Sequence, residues 1–208
     1  MKENKAAQLH LSKRFTQAVE YAREVHSEMR KGTEIPYMAH LLGVAALVMG
    51  EAGHAWLPVT EDIVIAALLH DAAEDHGGEP RLKDIESNFG SEVARMVSGL
   101  SDSLVENADE KDSWPERKRA YLQRLRDEPP DVRLISVADK LYNARAILED
   151  YRGVGSQIWK RFKRGREEQI WYFDQLLEVY KTFEEIRIVD EFGRVLAELR
   201  QISAGEAV

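Results

Sequence analysis

The segment that most constrains this 208-residue chain is Ile63-Val64-Ile65-Ala66-Ala67-Leu68-Leu69, which runs directly into His70-Asp71-Ala72-Ala73-Glu74-Asp75. A helix built from the first part has no polar face, and such a helix sits in the middle of a domain. Read as one continuous helix, the run delivers Asp71, Glu74 and Asp75 to a buried C-terminal end, where the macrodipole disfavours negative charge. Buried carboxylates are also costly unless they are paired or bound to a cation. At 100° per residue, His70, Asp71, Glu74 and Asp75 share an arc of roughly 140°, so all four address the same space. A divalent cation there would remove both penalties. The alternative, an exposed acidic helix end with an incidental histidine, suits an isolated His-Asp pair better than it suits the whole pattern.

Elsewhere the apolar spacing is helical nearly throughout. Phe15, Val19, Ala22 and Val25 mark one face of a first helix. Pro36 is placed to open a second with His40 in its first turn, and Thr60 to N-cap the third. Further helices are expected over about 82–89, 92–100, 115–127, 131–150, 156–163, 166–187 and 190–201, with Gly90, Pro129-Pro130 and Gly153/Gly155 as punctuation. Residues 101–114 are polar, acidic and aperiodic, which reads as a mobile loop. The expected fold is all-α: a single helical bundle over 1–208, with its core at about 15–185 and a helical extension at 186–208.

Two further polar residues interrupt apolar helices. Asp139 lies in Leu134-Ile135-Ser136-Val137-Ala138-Asp139-Lys140-Leu141, four residues before Asn143 and on the same face. His40 lies in Pro36-Tyr37-Met38-Ala39-His40. Alone, Asp139 reads equally well as structural, paired with Lys140 or a hydroxyl, and a single helix-start histidine such as His40 is more often structural than a ligand. Taken with His70 and Asp71, they make two imidazoles and two carboxylates on three apolar helices, a donor set for an octahedral site with positions open to water and substrate. The chain has no cysteine, so a metal must be held by imidazole and carboxylate, which favours Mn, Fe, Zn or Mg.

The net charge of −8 argues against nucleic acid as a partner, and an anionic substrate would need local positive charge. Neither a signal-like apolar run nor a membrane-length segment is present in the sequence, so a cytoplasmic protein is expected. Homo-oligomerisation is left open.

The chain resembles the HD-domain phosphohydrolases, whose signature is H…HD…D, and within them the RelA/SpoT-type alarmone hydrolases. The resemblance rests on Tyr21-Ala22…His26, Arg30-Lys31-Gly32-Thr33, Pro36-Tyr37-Met38-Ala39-His40, Ala66-Ala67-Leu68-Leu69-His70-Asp71-Ala72-Ala73-Glu74-Asp75, Phe89-Gly90-Ser91-Glu92-Val93 and Ala138-Asp139-Lys140-Leu141-Tyr142-Asn143. It implies removal of the 3′-pyrophosphate from guanosine tetra- and pentaphosphate with manganese, held by His40, His70, Asp71 and Asp139. It also implies that Glu74 and Asp75 position and deprotonate the attacking water, and that Arg30, Lys31, Asn143 and Tyr172 contact the nucleotide. Many relatives carry Gln where Met29 stands here. The basic run Lys160-Arg161-Phe162-Lys163-Arg164-Gly165-Arg166 has no assignment from the resemblance; it reads as a solvated helix end, a phosphate-facing segment or a subunit contact.

Two other readings share these residues. An HD phosphohydrolase acting on a dinucleotide phosphate or a nucleoside monophosphate would differ only in its pocket. A non-catalytic helical nucleotide sensor would have no need of Glu74 and Asp75 beside the ligands.

Overall fold

The apolar run at 63–69 is the centre of the molecule. The computed structural model describes residues 8–54, 57–105, 112–182 and 187–204. Within α3 (Glu61–Leu69), every residue from Val64 to Leu69 is fully buried. Thr60 caps it as expected, its Oγ1 accepting from the Ile63 amide. Around α3 pack α1 (Lys13–Val25), α2 (Met38–Gly50), α6 (Ser91–Leu100) and α8 (Pro130–Val154). Helix α5 (Gly78–Phe89) packs on α6 and ends at Gly90, whose φ of +96° suits glycine.

Helix α3 does not run on through Asp75. It stops at Leu69, and a short α4 (Ala72–Asp75) restarts after Asp71, whose backbone oxygen accepts from the Asp75 amide at 2.9 Å. Asp71, Glu74 and Asp75 therefore stand at the start of a new turn, and the dipole penalty expected of one long helix is relieved. Pro36 likewise does not open α2. It pairs with Met29 in an antiparallel bridge, the only β pairing among the described residues. The Arg30 amide donates to Ile35 O at 2.8 Å, closing the 30–35 loop, and α2 begins at Met38.

Helix α7 (Trp114–Leu125) starts one residue before the expected position. Part of the 101–114 loop, residues 106–111, lies outside the described residues, but Ser101 and Asp102 are buried, not mobile. A 3-10 helix (Gly155–Arg161) links α8 to α9 (Gly165–Tyr180). In the basic run, Arg161 pairs with Asp150 at 2.5 Å and Arg166 Nε donates to Ser203 Oγ at 3.1 Å, so two of its cations are engaged with the fold. The segment read as an extension carries α10 (Arg187–Ala204), which packs along α8 and buries Phe192, Leu196 and Leu199 completely. It belongs to the core.

Two contacts fix α8 in the bundle. Ser136 Oγ lies 2.8 Å from both Tyr121 Oη and Tyr180 Oη, tying α7 and α9 to α8. On its other side, Gly43 of α2 lets the Tyr142 ring approach so closely that a Cβ would fall 2.0 Å from Tyr142 Cε2. Gly43→Ala should therefore cost about 1–3 kcal/mol through overpacking, read as a lower midpoint in urea. An unchanged midpoint would show that Tyr142 swings aside freely.

Candidate metal centre and substrate pocket

The three apolar helices bring the four expected ligands to one point. His40 comes from the first turn of α2, His70 and Asp71 from the α3–α4 junction, and Asp139 from the middle of α8. His40, His70 and Asp139 are buried, and Asp71 is partly so. His40 Nε2 is 3.2 Å from His70 Nε2. Asp71 Oδ2 lies 3.3 Å from His40 Nε2 and 3.1 Å from His70 Nε2. Asp139 Oδ1 lies 3.4 and 3.7 Å from the same two nitrogens. Neighbouring donors of an ion with bonds near 2.1 Å stand about 3 Å apart, so the spacing fits an octahedral or tetrahedral edge.

The surroundings orient these donors. His70 Nδ1 lies 2.8 Å from Ala67 O, which can only accept, so the proton is on Nδ1 and the Nε2 lone pair faces the cluster. Tyr37 Oη donates to Asp71 Oδ2 at 2.6 Å, and Asn143 Nδ2 donates to Asp139 Oδ1 at 2.6 Å. Lys140 Nζ pairs with the other Asp139 oxygen. Burial opposes charge on both imidazoles and depresses His40, but Asp71 and Asp139 overcome it at His70 and raise that ring well above its usual range. Both carboxyls are held well down by the imidazoles, and Asp139 also by Lys140, against the effect of burial. Positive charge is what this point demands, and the donor set fits a divalent cation.

Glu74 and Asp75 line the same pocket one turn beyond Asp71. Burial pushes the Glu74 carboxyl up to about 7. Burial and then Asp71 push Asp75 up to about 6. Carboxyls titrating in this range suit proton transfer near neutral pH. Glu74 Oε2 accepts from the Asp102 amide at 2.8 Å, which aims it. Asp102 itself pairs with Arg117 and, at 2.7 Å, with Lys118. Burial would raise Asp102, but Lys118 and Arg117 hold its carboxyl down at about 2.

Lys118, Lys140 and Tyr172 complete the pocket. Lys118 Nζ lies 5.1 Å above the Tyr172 ring, and the buried Tyr172 Oη has no partner among the described residues. Sequence reasoning found Tyr172 by resemblance and Lys140 as a partner of Asp139, but missed Asp102 and Lys118. Lys118 stands in the charged run Glu116-Arg117-Lys118-Arg119, which looks like a solvated face, and nothing in the pattern marks it.

The expected nucleotide contacts divide. Arg30 reaches the pocket's edge, Nη2 donating to Asn143 Oδ1 at 2.9 Å, with its guanidinium 5.3 Å above Tyr142. Its buried Nη1 has no partner among the described residues. Lys31 is exposed and does not line the ligand pocket; it borders a neighbouring groove with Arg30, Tyr142 and Arg161.

The family model described as HD domain matches residues 18–171, a span that holds all four ligand candidates. The human protein named guanosine-3′,5′-bis(diphosphate) 3′-pyrophosphohydrolase MESH1 is 35% identical over 136 residues, 63% of this chain and 68% of that protein. An Aquifex aeolicus protein with the same enzyme name is 31% identical over 62% of this chain, but the match spans 17% of that longer protein. Among solved structures, a metazoan ortholog of SpoT superposes with a TM-score of 0.71 at 22% identity, covering 91% of this chain and 97% of its own. A Listeria monocytogenes EGD-e protein gives a TM-score of 0.63 at 31% identity, covering 79% of this chain and 99% of its own. The chain belongs to the HD-domain family, in the group that includes the MESH1 proteins.

Proposed function

We propose that this protein is a metal-dependent phosphohydrolase that removes the 3′-pyrophosphate from guanosine tetra- and pentaphosphate. The observation that carries the reading is one pocket holding four convergent donors, two carboxyls of raised pKa and two largely buried lysines. The names of the relatives supply the substrate.

His40, His70, Asp71 and Asp139 would hold the cation, with manganese as the proposed metal. Bound there, it supplies neutralisation of phosphate charge and acidification of water. Glu74, aimed by the Asp102 amide, takes the proton of the attacking water, and Asp75 orients that water from the pocket's open side. Lys118 and Lys140 bind phosphate oxygens through charge-assisted hydrogen bonds. Attack on phosphorus breaks its bond to the 3′-oxygen, which takes up a proton. The products are pyrophosphate and guanosine 5′-diphosphate for the tetraphosphate, or the 5′-triphosphate for the pentaphosphate. Among the described residues, no helix is long and apolar enough to cross a membrane. A cytoplasmic site of action accords with the proposed substrate.

The deciding experiment measures, with manganese, pyrophosphate release from guanosine tetraphosphate beside orthophosphate release from a dinucleotide phosphate and a nucleoside monophosphate. Faster turnover of either competitor would replace the substrate assignment. Tight nucleotide binding with no turnover of any would replace the enzyme with a sensor.

Arg30 and Lys31 should separate in the same assay. Arg30→Ala removes a partly buried donor with a free nitrogen and should raise KM about ten-fold or more, with less effect on kcat. Lys31→Ala removes a solvent-exposed charge and should change KM by no more than about three-fold. Added salt should weaken the parent more than the Arg30 variant. Equal effects of the two substitutions would place the nucleotide in the Lys31 groove.

A further inference from the structure

A second group of metal-ligating side chains lies outside the four-ligand centre. His26 caps the C-terminal end of α1, and its backbone amide donates to Ala22 O at 2.8 Å. His76 caps the end of α4, and Glu28 comes from the loop after α1. One carboxylate oxygen, Glu28 Oε1, stands 2.8 Å from His26 Nδ1 and 3.2 Å from His76 Nε2. All three donor atoms lie within 4.8 Å of one another.

We propose that His26, Glu28 and His76 form a second cation site, taking a borderline divalent ion of the zinc or cobalt class with water in its open position. Two imidazoles and one carboxylate are a donor set that such ions favour, and the separations from Glu28 Oε1, 2.8 and 3.2 Å, are close to the edge of a tetrahedron with bonds near 2 Å. Three observations support a cation over simple packing. The His26 side chain is wholly buried with its Nδ1 facing Glu28 Oε1, the same single oxygen that His76 Nε2 faces, so two imidazoles converge on one carboxylate oxygen. Its place at the end of a thirteen-residue helix favours positive charge nearby. Glu28 and His76 are both partly exposed, which leaves the ion a path from solvent. Arg81 is the cation that touches this turn, and it is engaged by the His76 carbonyl at 3.1 Å and by Tyr21 Oη at 3.2 Å.

The site would act as a clamp. It joins the loop that leads to Arg30 and Lys31 to the turn that follows Glu74 and Asp75. It also touches the first centre through one ring: His26 stacks on Tyr37 at 4.7 Å, and Tyr37 donates to Asp71.

Metal content tests this without reference to activity. The chain is stripped with a chelator and titrated with Co2+, following visible absorbance and metal bound per chain. The parent should take up two equivalents, and the one bound here should give the intense visible bands of low-coordinate cobalt. His76→Ala and, independently, Glu28→Gln should each weaken that equivalent by about 100-fold or more, remove its bands and abolish its contribution to the cobalt-induced rise in Tm. Asp71→Asn should keep it. Should the four-ligand centre be the one that fails to bind, the parent would hold a single equivalent that His76→Ala removes and Asp71→Asn retains. A change of less than about ten-fold in both partly exposed-site variants overturns the second site.

Discussion

Asp71→Asn is expected to yield a folded protein that binds one divalent cation fewer than the parent and has lost turnover. Asp71 Oδ2 is the carboxylate oxygen closest to both imidazole nitrogens, at 3.1 and 3.3 Å. An amide in its place keeps the shape and can still accept from Tyr37 Oη, so the fold has little reason to yield. What disappears is half of the negative charge that a cation meets there. Loss of the cation forfeits several kcal/mol of transition-state stabilisation, roughly three orders of magnitude in rate. Metal analysis after reloading with manganese is the measurement, and an undiminished stoichiometry would remove Asp71 from the ligand set.

Glu74→Gln should fail in a different way and gain something in exchange. Glu74 lines the pocket one turn beyond Asp71 and is aimed by the Asp102 amide, so the variant should keep the cation while turnover falls about 10²–10⁴-fold. Asp75→Asn should likewise keep the ion and lose most activity. The gain is in stability. In the fold the Glu74 carboxyl is raised from its ordinary 4.5 to about 7. Below pH 4.5 it is protonated whether the chain is folded or not, and it carries no penalty. As pH rises through the window from 4.5 to 7, the unfolded chain ionises first, and the folded state loses ground. Glutamine has no such cost. With cation-free protein, Glu74→Gln should exceed the parent by about 2–3 kcal/mol above pH 7, the gap closing at acid pH. Urea titrations at the two ends of that window would decide it; a parent more stable than the variant at the alkaline end would mean that Lys118 and the Asp102 amide already neutralise Glu74.

These residues were legible in the sequence because they break a strong pattern. His70 and Asp71 follow a run that is apolar on every side from Ile63 to Leu69, and Asp139 interrupts another apolar helix, so a polar side chain stands out against its neighbours. Thr60, Gly90 and the helix periods were legible for the same local reason. Lys118 and Asp102 were not, because Lys118 sits in a charged run and Asp102 in a polar aperiodic segment, and only the packing of α7 over the α4 turn gives them a buried face. The breaks at Asp71 and Pro36 were missed because local spacing shows where a helix is permitted, whereas tertiary partners decide where it starts. The role of α10 was underestimated because its apolar stripe reads as amphipathic until α8 is seen beneath it.

One side-chain amide has consequences at both ends of the pocket. Asn143 donates to Asp139 with its nitrogen and accepts from Arg30 with its oxygen, so a single planar group joins a proposed metal ligand to a proposed nucleotide contact. Drawing Arg30 towards a nucleotide would redistribute the hydrogen bond on the oxygen side of that amide, and the nitrogen side would respond at Asp139. Binding at the two ends is then thermodynamically linked. Whatever factor nucleotide contributes to the affinity for the cation, the cation returns to the affinity for nucleotide in equal measure. The apparent dissociation constant of either ligand is thus a property of the pair, set by the concentration at which the other is held.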